Sequence, residues 1–202
     1  MGDVKHVTKL TDNRFLNLYQ LEAVRRDGTS MEYYMASRIR QPEGVKAVTH
    51  VNTPNGVILY GVYGEQKDKV VLVRQYRYPI GDYVYEFPAG LVEPGEDLLH
   101  AGIREMYEET GLTFKPIEGG SYMRPFFTTV GMTDESCGTV FGYCEGEPTN
   151  ENQEASEDIQ VVLADREECK RILREENVAI MCAYMLMHFI AGEGDPLAFL
   201  QK

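Results

Sequence analysis

The chain has 202 residues, with 32 acidic against 20 basic side chains and a formal net charge of −12. That length supports one good core, or one domain with a smaller accessory subdomain, and 43% hydrophobic with 26% charged residues is ordinary for a soluble globular protein. The acidic balance argues against nucleic acid or an anionic membrane surface as partner, because either would need a basic face.

Residues 1 to about 45 alternate apolar and polar side chains. Phe15, Leu16, Leu18, Leu21 and Val24 precede the turn Arg26-Asp27-Gly28-Thr29, and Met31 to Ala36 follow it. This predicts two strands joined by an Asp-Gly turn. A lone hairpin is marginal in water, so residues 1–45 are expected to form a small antiparallel β subdomain covered by more sheet or by a partner surface. Met1 to His6 lacks the apolar core of a signal peptide.

Ala47 to Tyr63 alternates, Gly64 to Lys69 is a polar turn and Val70 to Arg77 returns as a strand. Two long strands here fit a central mixed sheet in a main domain of residues 46–202. Further on, Pro94-Gly95 reads as a turn and Asp97 as a helix start. The apolar positions Leu98, Leu99, Ala101 and Met106 carry that helix to a left-handed stop at Gly111. Glu105 stands three residues before Glu108 and four before Glu109, so the three carboxylates project from neighbouring positions on one side. Like charges at these spacings, and anions in the last turns, each cost about 0.3–1 kcal/mol. Arg104 can reach Glu108, yet one guanidinium cannot neutralise three carboxylates, whereas a hard divalent cation can. A solvated acidic helix face is the alternative.

Past this helix, Phe114 to Gly120 reads as a loop and Cys137 to Cys144 as a strand with Phe141 and Tyr143 in the core. Glu145 to Asp158, EGEPTNENQEASED, is the tract of low hydrophobicity and reads as an acidic loop. Ile159 to Leu163 is a strand, Asp165-x-x-Glu168 resembles a capping box opening a helix to about Glu175, and Ala179 to Ala191 is a last helix. The apolar run Val178 to Ala191 is too short to span a bilayer and contains His188. Its Met181, Met185 and Met187 are expected to fill a core or a subunit contact. Cys137, Cys144, Cys169 and Cys182 lack CxxC spacing, so free buried thiols in a reducing cytosol, and hence a cytoplasmic location, are expected. The four histidines are scattered and receive no role.

Gly90, five residues, Glu96, seven residues and then Arg104-Glu105-Met106-Tyr107-Glu108-Glu109-Thr110-Gly111-Leu112 match the pattern G-x5-E-x7-R-E-U-x-E-E-x-G-U, with U aliphatic, at every defined position. On these residues the chain resembles the Nudix hydrolase superfamily. Gln75-x-Arg77 followed by Glu86-x-Pro88-Ala89-Gly90 resembles its ADP-ribose pyrophosphatase and nucleotide-sugar branch in particular. The resemblance implies an α/β fold, a Nudix α/β/α sandwich with a mixed central sheet, and assembly as a homodimer through the N-terminal strands. It implies hydrolysis of ADP-ribose to AMP and ribose 5-phosphate with Mg²⁺, or possible use of Mn²⁺. Glu105, Glu109 and the Ala89 carbonyl would hold the metal, with Glu108 and Glu96 as further ligands or orienters and Arg104 keeping the carboxylates in register. Arg77 would grip the diphosphate, Glu86 would sit near the metal or its water shell, and Glu135 would contact a ribose or the metal shell. A catalytic glutamate of the acidic loop would be Glu154 or Glu157, since Ala155 stands two before Glu157 and cannot act. Two departures are Val130, where relatives usually have Pro, and Gly102, where they usually have Ala and which suggests close approach of the helix to a strand. A hydrolase of GDP- or UDP-hexoses and a non-catalytic nucleotide-sugar sensor are the rival readings. Against the sensor, every box carboxylate is intact and neither a helix-turn-helix nor a basic appendage is evident.

Overall fold

The computed structural model describes residues 2–119, 124–153 and 158–201. Its strands are β1 (Asp3–Lys9), β2 (Asn17–Val24), β3 (Ser30–Ser37), β4 (Gly56–Tyr63), β5 (Lys69–Arg77), β6 (Asp82–Glu86), β7 (Ala89–Leu91), β8 (Thr113–Pro116), β9 (Phe126–Phe127), β10 (Ser136–Glu145) and β11 (Ile159–Ala164). Its helices are α1 (Lys46–Thr49), α2 (Leu98–Thr110), α3 (Arg166–Glu175) and α4 (Ile180–Ala191). They fall into two compact units, residues 1–55 with 125–137, and residues 56–124 with 138–202.

In the first unit β1, β2 and β3 form an antiparallel sheet in that order. The β2–β3 hairpin turns where Asp27-Gly28 predicts it: Gly28 takes φ +87° and the Asp27 carboxylate accepts the Thr29 amide at 3.0 Å. β1 is a third strand that the alternation did not announce, because Val7 alone of its seven residues is buried. Val7, Tyr19, Leu21, Met35 and Val45 make this unit's core. Ala47 to Thr49, expected as strand, is instead the short helix α1. Asp134 accepts the Lys46 amide at 3.1 Å, an N-terminal partner drawn from far along the chain. β9 pairs with Ser136 and Cys137 at the start of β10.

The second unit is built on a sheet of order β11-β5-β4-β10-β8, with β6 alongside β5 and β7 alongside β4. The period of two sorts its faces. Val57 and Leu59 of β4 pack with Ala101 and Met106 of α2, while Tyr60 and Val62 pack with Cys169 and Ile172 of α3 and with Cys182, Leu186 and Phe189 of α4. The result is the α/β/α sandwich. β5 and β11 pair antiparallel to either side of a register from Ile159 opposite Gln75 to Ala164 opposite Val70. The expected loop from Phe114 to Gly120, whose last residue lies outside the described residues, is in part strand, since Thr113 to Pro116 pairs with Gly142 to Glu145 and buries Phe114. Asp165 caps α3 by accepting the Glu168 amide at 2.8 Å, but the Glu168 carboxylate turns to Arg171 and leaves the capping box half made. Cys144, Cys169 and Cys182 are buried thiols, whereas Cys137 is half-buried. Met185 packs on the core, and Met181 and Met187 are exposed. Among the described residues no helix is long and apolar enough to cross a membrane.

Tyr60 is fully buried between the sheet and the α3–α4 layer, and its hydroxyl finds no partner among the described residues. Burial without a partner pushes that phenol well above its ordinary range. Tyr60→Phe removes the stranded oxygen and should stabilise the chain by about 1 kcal/mol, which thermal denaturation reads as a rise of roughly 2–4 °C.

Candidate active site

The site grows out of one turn and one helix of the second unit. Glu93-Pro94-Gly95-Glu96 is a tight turn: the Glu96 amide donates to the Glu93 carbonyl at 3.0 Å and Gly95 takes φ +85°. Asp97 then caps α2, its carboxylate accepting the Leu99 and His100 amides at 2.9 and 3.0 Å. Ala101, Gly102 and Met106 turn inward. A Cβ on Gly102 would stand 3.0 Å from Leu59 and 3.4 Å from Val140, so the helix does lie close against β4 and β10. Gly111, at φ +72°, ends it.

This docking leaves Glu105 and Glu108 on one cleft. Arg104 lies at its centre. It grips Glu96 with Nε at 3.0 Å and a terminal nitrogen at 2.9 Å, Glu105 at 2.8 Å, Glu108 at 3.0 Å and the Leu91 carbonyl at 3.0 Å. The bond from Arg104 holds the Glu96 carboxyl below its usual range, and Glu96 in turn holds the guanidinium above its own. Glu105 is pressed so closely on β7 that a Cβ on Gly90 would sit 1.9 Å from its carboxyl carbon. Glu109 is buried, and the Ala89 amide donates to it at 3.1 Å. Ala89, Gly90, Leu91, Val92, Glu93, Pro94, Arg104, Glu105 and Glu108 line a cleft of about 440 Å³.

The model for the NUDIX domain matches residues 52–180, well over half of the chain. The chain belongs to the Nudix family. Among its relatives, a chain of Caenorhabditis elegans named as a Nudix hydrolase is 36% identical over 135 residues, covering 61% of this chain and 60% of that one. An ADP-ribose pyrophosphatase of Bacillus subtilis is 31% identical over 130 residues, covering 63% of this chain and 67% of its own. The chain thus spans about two thirds or less of these curated relatives. The crystal structure of an ADP compounds hydrolase has a TM-score of 0.67 and covers 96% of both chains at 15% identity, a likeness of fold. The resemblance to the ADP-ribose pyrophosphatase branch read from the motifs is borne out by the family match and the Bacillus subtilis relative.

The Nudix helix thus gathers Glu96, Arg104, Glu105 and Glu108 in one network, with Glu109 and Ala89 in contact beside them. Arg77 and Glu86 come together on neighbouring strands, the guanidinium donating to the carboxylate at 2.6 Å. Glu135 lies in the first unit, where it accepts from Arg38 at 3.0 Å and from the Thr128 hydroxyl at 3.1 Å. Glu154 and Glu157 lie outside the described residues. The donor set suits a hard divalent cation, being carboxylate and carbonyl oxygen throughout, and the bare Gly90 backbone makes the room a carboxylate needs there. Among the described residues no three His, Cys, Asp or Glu side chains are gathered as a metal cluster. Arg104 draws Glu96, Glu105 and Glu108 around its own charge instead. The box pattern marks Gly90 as required but gives no sign that Glu105 is what occupies its space. Arg38 as the partner of Glu135 carries no sequence signal, since 97 positions separate them.

Proposed function

We propose that the chain is a Mg²⁺-dependent pyrophosphohydrolase that splits the diphosphate of ADP-ribose into AMP and ribose 5-phosphate. The seating of Glu105 in the space left by Gly90, next to Glu96 and Glu108, carries this reading. It gathers like charges where they oppose one another and the helix dipole, an arrangement unfavourable to the fold alone. The similarity to an ADP-ribose pyrophosphatase supports the choice of nucleotide.

A phosphoanhydride resists hydrolysis because its oxygens repel the incoming nucleophile, so cations and positioning are what a catalyst must provide. Glu105, Glu109 and the Ala89 carbonyl would hold Mg²⁺ or Mn²⁺, with Glu108 and Glu96 as further ligands or orienters. The metal supplies positive charge against the diphosphate and makes water easier to deprotonate. Arg104 keeps the carboxylates in register through its two-pronged grip on Glu96. Arg77 would exchange its bond to Glu86 for two oxygens of the diphosphate, which a planar guanidinium binds bidentately, while Glu86 would sit near the metal or its water shell. Glu135 would contact a ribose or the metal shell. Glu154 or Glu157 takes the proton of the attacking water as the bridging P–O bond breaks.

Residues 1–45 serve as the dimerisation subdomain and residues 46–202 as the hydrolase domain. Phe15, Leu16, Leu18 and Tyr34 are exposed apolar surface of the kind a second copy covers, and sedimentation of the full chain reads that dimer. Three buried thiols suit a reducing, cytoplasmic setting.

The decisive assay sets ADP-ribose against a GDP-hexose and a UDP-hexose, with Mg²⁺ and with EDTA. ADP-ribose should lead by about tenfold or more in kcat/KM, and EDTA should abolish turnover. A faster hexose substrate reassigns the sugar nucleotide, and no turnover of any compound leaves the sensor. Alanine at Glu154 and at Glu157, tested singly in this assay, identifies the base. If neither change nor the pair slows hydrolysis, the acidic loop is a linker.

A further inference from the structure

The acidic tract after β10 begins as a cap on the Nudix helix. The last carbonyls of a helix have no partner within it, and the Gly111 amide reaches only that of Tyr107, at 2.8 Å. The tract supplies two more: the Thr149 amide donates to the Thr110 carbonyl at 2.9 Å, and the Gln153 side-chain amide donates to the Glu109 carbonyl at 2.8 Å. Gly111 makes room for this. A Cβ there would stand 2.2 Å from the Thr149 methyl, so the last glycine of the box seats the tract as well as ending the helix. These donors arrive at the negative end of the helix dipole, where Glu108 and Glu109 add their own charge.

We propose that Gln153 is a positioning residue for Glu109. Its amide fixes the Glu109 backbone carbonyl from one side while the Ala89 amide fixes the carboxylate from the other. The residue is thereby held at both ends with its side chain almost out of water, 3% exposed. This inference rests on the reading of Glu109 as a metal-holding group.

The test measures binding of Mn²⁺ alone to the full chain, by the paramagnetic resonance of the free ion, in wild type, Gln153→Met and Gln153→Glu. Methionine keeps the length and loses the donor; glutamate turns a donor into an acceptor facing a carbonyl. Mn²⁺ affinity should fall about tenfold in Gln153→Met, within the range for groups that orient a metal ligand, and further in Gln153→Glu. For ADP-ribose, kcat should fall while KM holds. Equal Mn²⁺ affinity in the three proteins, even with lowered thermal stability in the variants, makes Gln153 a helix cap and overturns the inference. A wild-type chain that takes up no Mn²⁺ overturns the metal reading, and the inference with it.

Discussion

Glu109→Gln should lower kcat by on the order of a thousandfold, as losing one preorganised charged group from a reaction centre does. Stability should hold or rise. The amide has the carboxylate's shape, and its oxygen can still accept the Ala89 amide now 3.1 Å away. What disappears is one negative charge, four residues from Glu105 and at the wrong end of the helix dipole. That removes a like-charge neighbour of Glu105, a repulsion worth roughly 0.2–0.5 kcal/mol even between exposed helix positions. Activity and fold therefore part company in this variant. Titrating Mg²⁺ to saturation during the assay, with thermal denaturation alongside, reads both quantities. A variant that keeps most of its turnover at saturating Mg²⁺ removes Glu109 from the metal-holding set.

Gly90→Ala is the second large effect, and it acts without replacing a charged residue. The added methyl would lie 1.9–2.2 Å from the three carboxyl atoms of Glu105, distances that no real contact shows. The far end of Glu105 must swing away, which takes the carboxylate off β7 and loosens the Arg104 network. Turnover should drop by about a hundredfold or more, the scale of a misplaced reacting group. Denaturation should show a modest change, because the displaced atoms end a flexible side chain. Gly95→Ala is the matched control. Its φ of +85° strains any other residue, yet nothing lies within 4 Å of the new Cβ. It should cost about 1–2 kcal/mol of stability and leave kcat near wild type. If both glycine variants lose activity alike, the seat of Glu105 is not what Gly90 provides.

Local chemistry was enough for everything whose cause lies within a few residues. Asp97 and Gly111 announced the ends of α2 because a cap and a left-handed stop act over a single turn. Asp27-Gly28 announced the hairpin for the same reason. The box residues named the family because their spacing is that of one loop and one helix. The reading of Gly102 as a close-approach position also held, since the missing side chain is legible even when the neighbour is not. It failed where the deciding partner was distant. Ala47 to Thr49 alternates like a strand but is helical, with Asp134 accepting the Lys46 amide at its start. Phe114 to Pro116 passes for a loop until β10 is beside it.

From residue order alone came the Nudix assignment, the acidic helix and its two ends, because spacing along one helix dictates which charges share a face. Only the tertiary structure could show that Glu105 fills the space above Gly90, that Arg104 binds three carboxylates at once, and that Gln153 closes the helix end beneath Glu109. Each of these depends on a side chain meeting backbone or charge brought in by chain folding, and hydrogen bonds and van der Waals contacts reach only a few ångströms. Periodicity cannot supply a neighbour of that kind.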